Sequence, residues 1–350
     1  MVRLVIIFVV FCLLMPVVLT AGQINSFIYH RFDDDRYPST NISSTIFTEQ
    51  LEYLRERNIP AVSTREISER IARGEELPDH AAMITVDDAY LSFYQAGMPV
   101  VRKFAVPVSL FVNTDAVGTP GYMSWDQIRE VVTQGVEIGN HTASHAYLVE
   151  KMAGETDDQW RRRIHDDILT AQQVFERELG FAPDIFAYTY GEYSAEIIDI
   201  VKDLGFIAAY AQQSGVIHQQ HDPFTLPRFP MGGPTGTLAD FKSKVAMKAL
   251  VVAEQHPISP IIFDPKTPPV LDLYLPGISG SAAQFNCFAQ GGTRCQVSVH
   301  EERGSGWYRV TGDSPLKGRR NKYTLTRQTA EGDWQWFSQL WINADNPPHR

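Results

Sequence analysis

Cysteine is almost missing from this 350-residue chain: there are three, Cys12, Cys287 and Cys295. So few exclude a disulfide-dense scaffold, and a two-cysteine metal site finds no partner ligands nearby. No repeat of the roughly 20–50-residue kind and no low-complexity tract is visible, which argues against a solenoid or propeller. Positive charge is also in short supply. Lysine and arginine number 31 against 41 aspartates and glutamates, a formal net charge of -10. With no basic stripe to meet phosphates, a nucleic-acid partner is not expected. Long hydrophobic runs are missing too, except at residues 4–19.

That one run is preceded by Arg3 and followed by Thr20, Ala21 and Gly22. A positive start, an apolar stretch and small residues read as a secretory signal peptide over residues 1–22, hence a periplasmic or secreted protein. Pro16 and the modest length disfavour a lasting membrane span. Cys12 has no lipid-attachment context. Cys287 and Cys295 would remain after processing, with seven residues between them. In an oxidising compartment such a pair closes a small loop as a disulfide, two free buried thiols being the alternative.

Residues 23–255 alternate short apolar runs with amphipathic stretches. Strands are expected at 24–29, 82–86, 106–112, 136–138, 185–190 and 206–210. Helices are expected at 46–57, from a Ser63/Glu66 capping box to Gly74, at 90–104 with an interruption near Pro99, from Ser124/Gln127, and at 157–179 and 195–204. Repeated strand-then-helix units imply a parallel sheet with helices outside, open or closed into a barrel. In either form chemistry gathers at the carboxyl ends of the strands. From about residue 256 the text becomes proline-rich and then strand-like, with no helical period, which reads as a β-sandwich over 256–350.

Three polar clusters fall at strand ends. The first is Thr85-Val86-Asp87-Asp88-Ala89, two adjacent carboxylates after an apolar run. The second is Asn140-His141-Thr142-Ala143-Ser144-His145, where histidines four apart on one helical turn would face the same way. The third is Phe186-Ala187-Tyr188-Thr189-Tyr190-Gly191, a strand end able to aim a backbone N–H inward. Two histidines and one aspartate make a three-ligand metal set with a position left for water. Asp88 would be drawn to the cation, while Asp87 would stay free to take a proton from that water.

These clusters, in this order, resemble the first three motifs of the polysaccharide deacetylase family, carbohydrate esterase family 4. The resemblance spans roughly residues 25–250. It implies a distorted (β/α) barrel that hydrolyses the N-acetyl group of an amino sugar in a polymer. It implies Asp87 as base, Asp88, His141 and His145 as metal ligands, and the Tyr190 N–H as oxyanion donor. The sequence departs from the family in four places. Val86 and Ala89 replace a usual Phe and Gly; Ala187 and Thr189 replace a usual Arg and Pro. The missing arginine orients the base in the family, and Arg228 in Leu226-Pro227-Arg228-Phe229-Pro230-Met231 is the candidate replacement. The general acid is expected at His30, after the first strand, as in the circularly permuted deacetylases of exported biofilm polysaccharides. His218 is the weaker alternative, and Asp33, Asp34 and Asp35 read as a solvated rim.

The chain is thus expected to deacetylate a β-linked N-acetylglucosamine polymer, in association with the cell envelope or exopolysaccharide. Zinc is the default metal, and cobalt, nickel or iron also suit two nitrogens and one oxygen. A non-catalytic carbohydrate-binding protein that keeps the barrel is the rival. Trp307, Trp334, Trp336 and Trp341 are either stacking platforms for sugar or core packing. Asn41-Ile42-Ser43 and Asn140-His141-Thr142 match the glycosylation pattern, and neither is read as modified.

Overall fold

The computed structural model describes residues 22–290 and 293–346. The expected signal segment lies outside the described residues, apart from Gly22. The α/β part runs β1 (Gln23–Tyr29), β2 (Arg31–Phe32), β3 (Asn41–Ile42), α1 (Ser44–Glu56), α2 (Thr64–Arg73), β4 (Ala81–Asp87), α3 (Met98–Phe104), β5 (Ser109–Val112) and α4 (Trp125–Thr133). It continues with β6 (Glu137–Asn140), α5 (Asp157–Leu179), β7 (Ile185–Ala187), α6 (Ala195–Asp203), β8 (Ala208–Tyr210), β9 (Val216–His218), β10 (Phe229–Pro230) and α7 (Leu238–Val245).

The main sheet has the order β10-β1-β4-β5-β6-β7-β8, all parallel, with β9 antiparallel to β1. Every residue of β1 and β4 is buried, as strands covered on both faces must be. The sheet curls until Leu226 bridges back to Tyr210 of β8, three residues before β10 begins. It is a distorted barrel whose last seam is an irregular segment rather than a strand pair.

Local signals explain most of the elements. Thr156 and Gln159 form a reciprocal capping box at the start of α5, and Gly180 ends that helix at φ 78°. Ser124 and Gln127 do the same for α4. At α2 only half the expected box forms. Ser63 caps Glu66 N, but the Glu66 carboxylate pairs with Arg70 instead. Pro99 does not break its segment. It lies in the first turn of α3, where its missing N–H costs nothing, and the irregularity is a π-turn at Phe93–Gly97.

The second sheet has eight strands: β11 (Lys248–Ala249), β12 (Glu254–His256), β13 (Val270–Tyr274), β14 (Phe285–Ala289), β15 (Thr293–Val299), β16 (Trp307–Gly312), β17 (Arg320–Gln328) and β18 (Trp334–Ile342). Their order is β11-β18-β17-β14-β15-β16-β13-β12. The sheet encloses its own apolar cluster, with Leu271, Leu273, Tyr308, Val310, Tyr323, Leu325 and Trp341 at its centre. It takes in Lys248 and Ala249, which pair with Gln335 and Trp336 of β18. Cys287 and Cys295 are joined across β14 and β15, with Cα atoms 5.5 Å apart. Trp341 is core. Trp336 packs on the barrel, its Nε1 donating to Ser214 O at 3.1 Å and its ring 5.7 Å from that of Phe229. Trp334 is exposed. Among the described residues no helix is long and apolar enough to cross a membrane.

Candidate metal centre

Asp87 is the last residue of β4, and the chain turns sharply after it: Asp88 has φ 76° and Ala89 φ 52°. That left-handed turn breaks the strand's alternation and brings the two neighbouring carboxylates to the same site. The histidine segment is also a turn. Asn140 Oδ1 accepts from Thr142 N at 2.7 Å, and Thr142 Oγ1 accepts from His145 N at 2.9 Å. Thr142 and His145 have φ of 65° and 57°, so the histidines do not share a helical turn as their spacing suggested. Side-chain acceptors have captured the backbone donors that a helix would need. Asn140 is buried and its amide donates to Ile168 O and Gln172 Oε1, which leaves no place for a glycan.

One oxygen of Asp88 and one ring nitrogen each of His141 and His145 lie within 4.8 Å of one another. Asp88 Oδ1 is buried and makes no hydrogen bond, although His145 Nε2 is 3.1 Å and His141 Nε2 3.4 Å away. His141 Nδ1 lies 2.8 Å from Ala187 O. A carbonyl only accepts, so Nδ1 carries the hydrogen and Nε2 faces Asp88 with its lone pair. An orphaned carboxylate oxygen and an imidazole lone pair turned on the same space fit a cation. With no cation between them, the carboxylate and the imidazoles act on one another. Burial raises the Asp88 carboxyl pKa, but the two imidazoles outweigh it and hold the group well below its ordinary range. Burial likewise lowers His141, and the charges of Asp87 and Asp88 more than reverse this.

Asp87 faces a different partner. Arg228 donates Nη1 to Asp87 Oδ1 at 2.7 Å and Nη2 to Oδ2 at 2.9 Å, and both side chains are fully buried. Arg228 is itself fixed by Ala211 O and Thr85 Oγ1. The guanidinium thus reaches Asp87 from the segment before β10, while Ala187 stands at the end of β7. His30 follows β1 and is partly buried. Burial lowers its pKa, the charges of Asp88 and Asp87 oppose this, and Arg228 and His141 add to the lowering. His218 is elsewhere, in β9, with Nδ1 accepting from Gln220 N. Asp34 is not a solvated rim residue. It is buried and paired with Arg31 and Arg36, while Asp33 accepts from Ser44 and Asp35 from Asn41.

Tyr190 does not continue β7. The strand ends at Ala187, and Tyr190 lies in a short turn at φ 57°. Its ring is 4.5 Å from that of His145 and stacks at 3.7 Å on Tyr147, with the Arg319 guanidinium 4.8 Å from the Tyr147 ring. Arg319 also holds the buried Glu192 through both carboxylate oxygens, at 2.7 and 2.8 Å. Arg320 Nη1 donates to the Tyr190 carbonyl at 2.7 Å. Tyr147, Glu192, Arg319 and Arg320 were missed from sequence. No motif links residues 127 positions apart, and only the Gly318-Arg319-Arg320 turn gave any local signal.

With this geometry established, comparison with known proteins shows what it resembles. Residues 74–209 match the polysaccharide deacetylase family. That match takes in 136 of the chain's 350 residues, including Asp87, Asp88, His141, His145 and Tyr190. The poly-β-1,6-N-acetyl-D-glucosamine N-deacetylase of Escherichia coli strain K12 is 28% identical over 218 residues, covering 52% of this chain and 32% of that protein. The chain therefore spans about a third of that relative's length. The enzyme of the same name from Staphylococcus aureus strain MRSA252 is 19% identical over 214 residues, covering 59% of this chain and 73% of its own. Among solved structures, IcaB from Ammonifex degensii superposes with a TM-score of 0.56 at 24% identity, over 64% of this chain and 97% of that one. The Streptococcus pyogenes deacetylase PplD, in complex with acetate, gives 0.57 at 16% identity, over 64% and 99%. These likenesses establish the deacetylase fold. His30 and Arg228 lie outside the stretch matched to the family.

Proposed function

We propose that the chain is an exported, metal-dependent hydrolase that removes N-acetyl groups from a β-linked N-acetylglucosamine polysaccharide. The observation that carries this reading is the convergence of Asp88, His141 and His145 beside an Asp87 held by Arg228. A divalent cation held by those three residues, zinc by default, would polarise the amide carbonyl and acidify water. Asp87 then acts as base. Both its oxygens are tied to a buried guanidinium, so the carboxylate is held in one orientation and takes the proton of the attacking water. The Tyr190 N–H donates to the oxyanion that forms on the carbonyl oxygen. His30 hands a proton to the nitrogen as its bond to carbon breaks. The lowered pKa makes the protonated ring a stronger acid for that transfer. One amide and one water become acetate and a free amine.

The names of the relatives support a β-1,6-linked N-acetylglucosamine polymer, and the leader-like residues 1–22 support export to the periplasm or beyond. The altered third motif favours a binding protein without turnover, but Arg228 supplies the guanidinium that the motif lacks. The deciding measurement is acetate release from poly-N-acetylglucosamine, chitin oligomers and peptidoglycan, with and without chelator. Release that the chelator abolishes and added metal restores is expected. Retention of polymer without acetate release would leave the binding protein.

A further inference from the structure

One cavity opens at the metal-ligand group and a second begins at Tyr190, whose ring is 4.5 Å from that of His145, and their charges are opposite. On one side Asp88 and His145 open onto a cavity of about 370 Å³ whose remaining charged residue is Asp115. On the other side Tyr147 and Tyr190 form one wall of a cavity of about 460 Å³. Its other walls come from the all-β region and include Lys317, Arg319, Arg320 and Lys322, and no aspartate or glutamate among the described residues. In a chain of net charge -10 this is a local reversal of sign.

Little within the protein compensates the basic side. Arg319 is neutralised by Glu192, which it holds with both nitrogens in a buried pair. Arg320 spends its nearest donor on the Tyr190 carbonyl, and its Nε stands 3.9 Å from Glu192, already shared with Arg319. Lys317 makes no ion pair among the described residues, and Lys322 Nζ reaches only the Gln212 carbonyl, at 3.5 Å. The two stacked rings already have partners of their own: Arg319 lies 4.8 Å from the Tyr147 ring, and Arg320 and His145 lie 5.4 and 4.5 Å from that of Tyr190. What the pocket presents is hydrogen-bond donors and positive charge.

A polymer that ran through both cavities would lay one neighbouring unit in each. Deacetylation turns a neutral acetamide into an ammonium at neutral pH, so the two cavities differ in how they receive a processed unit. We propose that the Lys317–Lys322 pocket is a subsite for the sugar flanking the reacting one, and that it admits that sugar only while its nitrogen is acylated. The inference rests on the deacetylase reading for the direction of the reaction. The Asp115 side tolerates or attracts the amine. The enzyme then works toward acetylated chain on its basic side and leaves deacetylated units on its acidic side. Burial, and after it the charge of Arg320, pushes the Lys322 ammonium down to about 8, and a ligand ammonium would meet the same Arg320 charge.

The test uses two isomeric tetrasaccharides, each with one glucosamine, placed on the reducing side of the central N-acetyl units in one and on the non-reducing side in the other. With metal-loaded protein at low salt, kcat/KM for acetate release is expected to differ about 10-fold between the isomers, and raised salt to shrink the ratio. Lys317→Gln is expected to lower the ratio, and Lys317→Gln with Lys322→Gln to bring it near one. Equal rates within about twofold for wild type, or a ratio the double variant leaves unchanged, would overturn the proposal. Calorimetric binding of the same isomers to Asp87→Asn protein reads the preference without turnover. Unequal binding supports the pocket even if no oligomer is hydrolysed, which would sink the deacetylase reading alone; equal binding sinks the pocket.

Discussion

Ala89 stands with φ 52°, where a Cβ crowds the next carbonyl oxygen at a cost of roughly 1–2 kcal/mol. Five of the eight non-glycine residues with positive φ, among the described residues, belong to the site: Asp88, Ala89, Thr142, His145 and Tyr190. Such strain collects where a side chain has to be aimed. Of these five Ala89 alone aims nothing, so Ala89→Gly should relieve its share. Glycine's extra freedom in the unfolded chain takes back roughly 0.4–1 kcal/mol. The net expectation is a gain of about 0.5–1 kcal/mol and a melting temperature higher by about 1–3 °C. A lower one would mean that the methyl group's burial outweighs the strain. Asp87→Asn tests the division of labour at the same turn. Acetate release should fall by about 10²- to 10⁴-fold with metal content unchanged, and loss of metal instead would mean that the two aspartates trade roles. Arg228→Met strands the fully buried Asp87 carboxylate. A loss of roughly 3–5 kcal/mol is expected in denaturant unfolding, and a change under 1 kcal/mol would show that the carboxylate finds other compensation.

The regular elements were legible wherever the signal was local. Helix α5 begins and ends where Thr156, Gln159 and Gly180 say it should, and the strands that end at Asp87 and just before His141 fall where their apolar runs put them. Legibility stopped at the turns. An i,i+4 histidine pair reads as one helical face, but the caps offered by Asn140 and Thr142 rest on bonds that no periodicity encodes. The role of Arg228 was open in the sequence because its partner lies 141 positions away. The turn carrying Tyr190 depends on Arg319 and Arg320, which belong to another sheet. Arg320 is exposed, so Arg320→Ala should leave the melting temperature within about 1 °C. It should lower kcat on chitin oligomers about 10-fold by loosening the Tyr190 peptide, with Arg320→Lys recovering part of the loss and metal affinity unchanged. A change in metal affinity instead would place its action on His145 through the aromatic stack.

At the scale of the molecule, barrel and all-β region meet along buried polar contacts as well as apolar ones. Trp336 reaches Ser214 O, and a groove of about 330 Å³ between the two is lined by His218, His221, Trp336 and Gln339. The two imidazoles lie 4.0 Å apart, and both ring nitrogens that accept backbone N–H bonds need a lone pair. Burial drives the His218 pKa down to about 4, and burial with the neighbouring His218 drives His221 down as well. In the unfolded chain both return to about 6.5. Between those values the unfolded state binds more protons than the folded one. Stability is therefore fully present above pH about 6.5 and is lost as pH falls toward about 4, by up to about 1.4 kcal/mol per pH unit for each such group. Glutamine keeps an acceptor but cannot charge, so His218→Gln with His221→Gln should flatten this dependence. Melting temperatures at pH 7.5 and pH 5, taken with chelator present, should fall less in the variant than in wild type. The acid response of Asp88 and His141 is common to both proteins and cancels in the difference. Equal falls in the two would mean that the histidine groove opens before the rest of the chain unfolds, so that its protonation no longer couples to the melting of barrel and β region together.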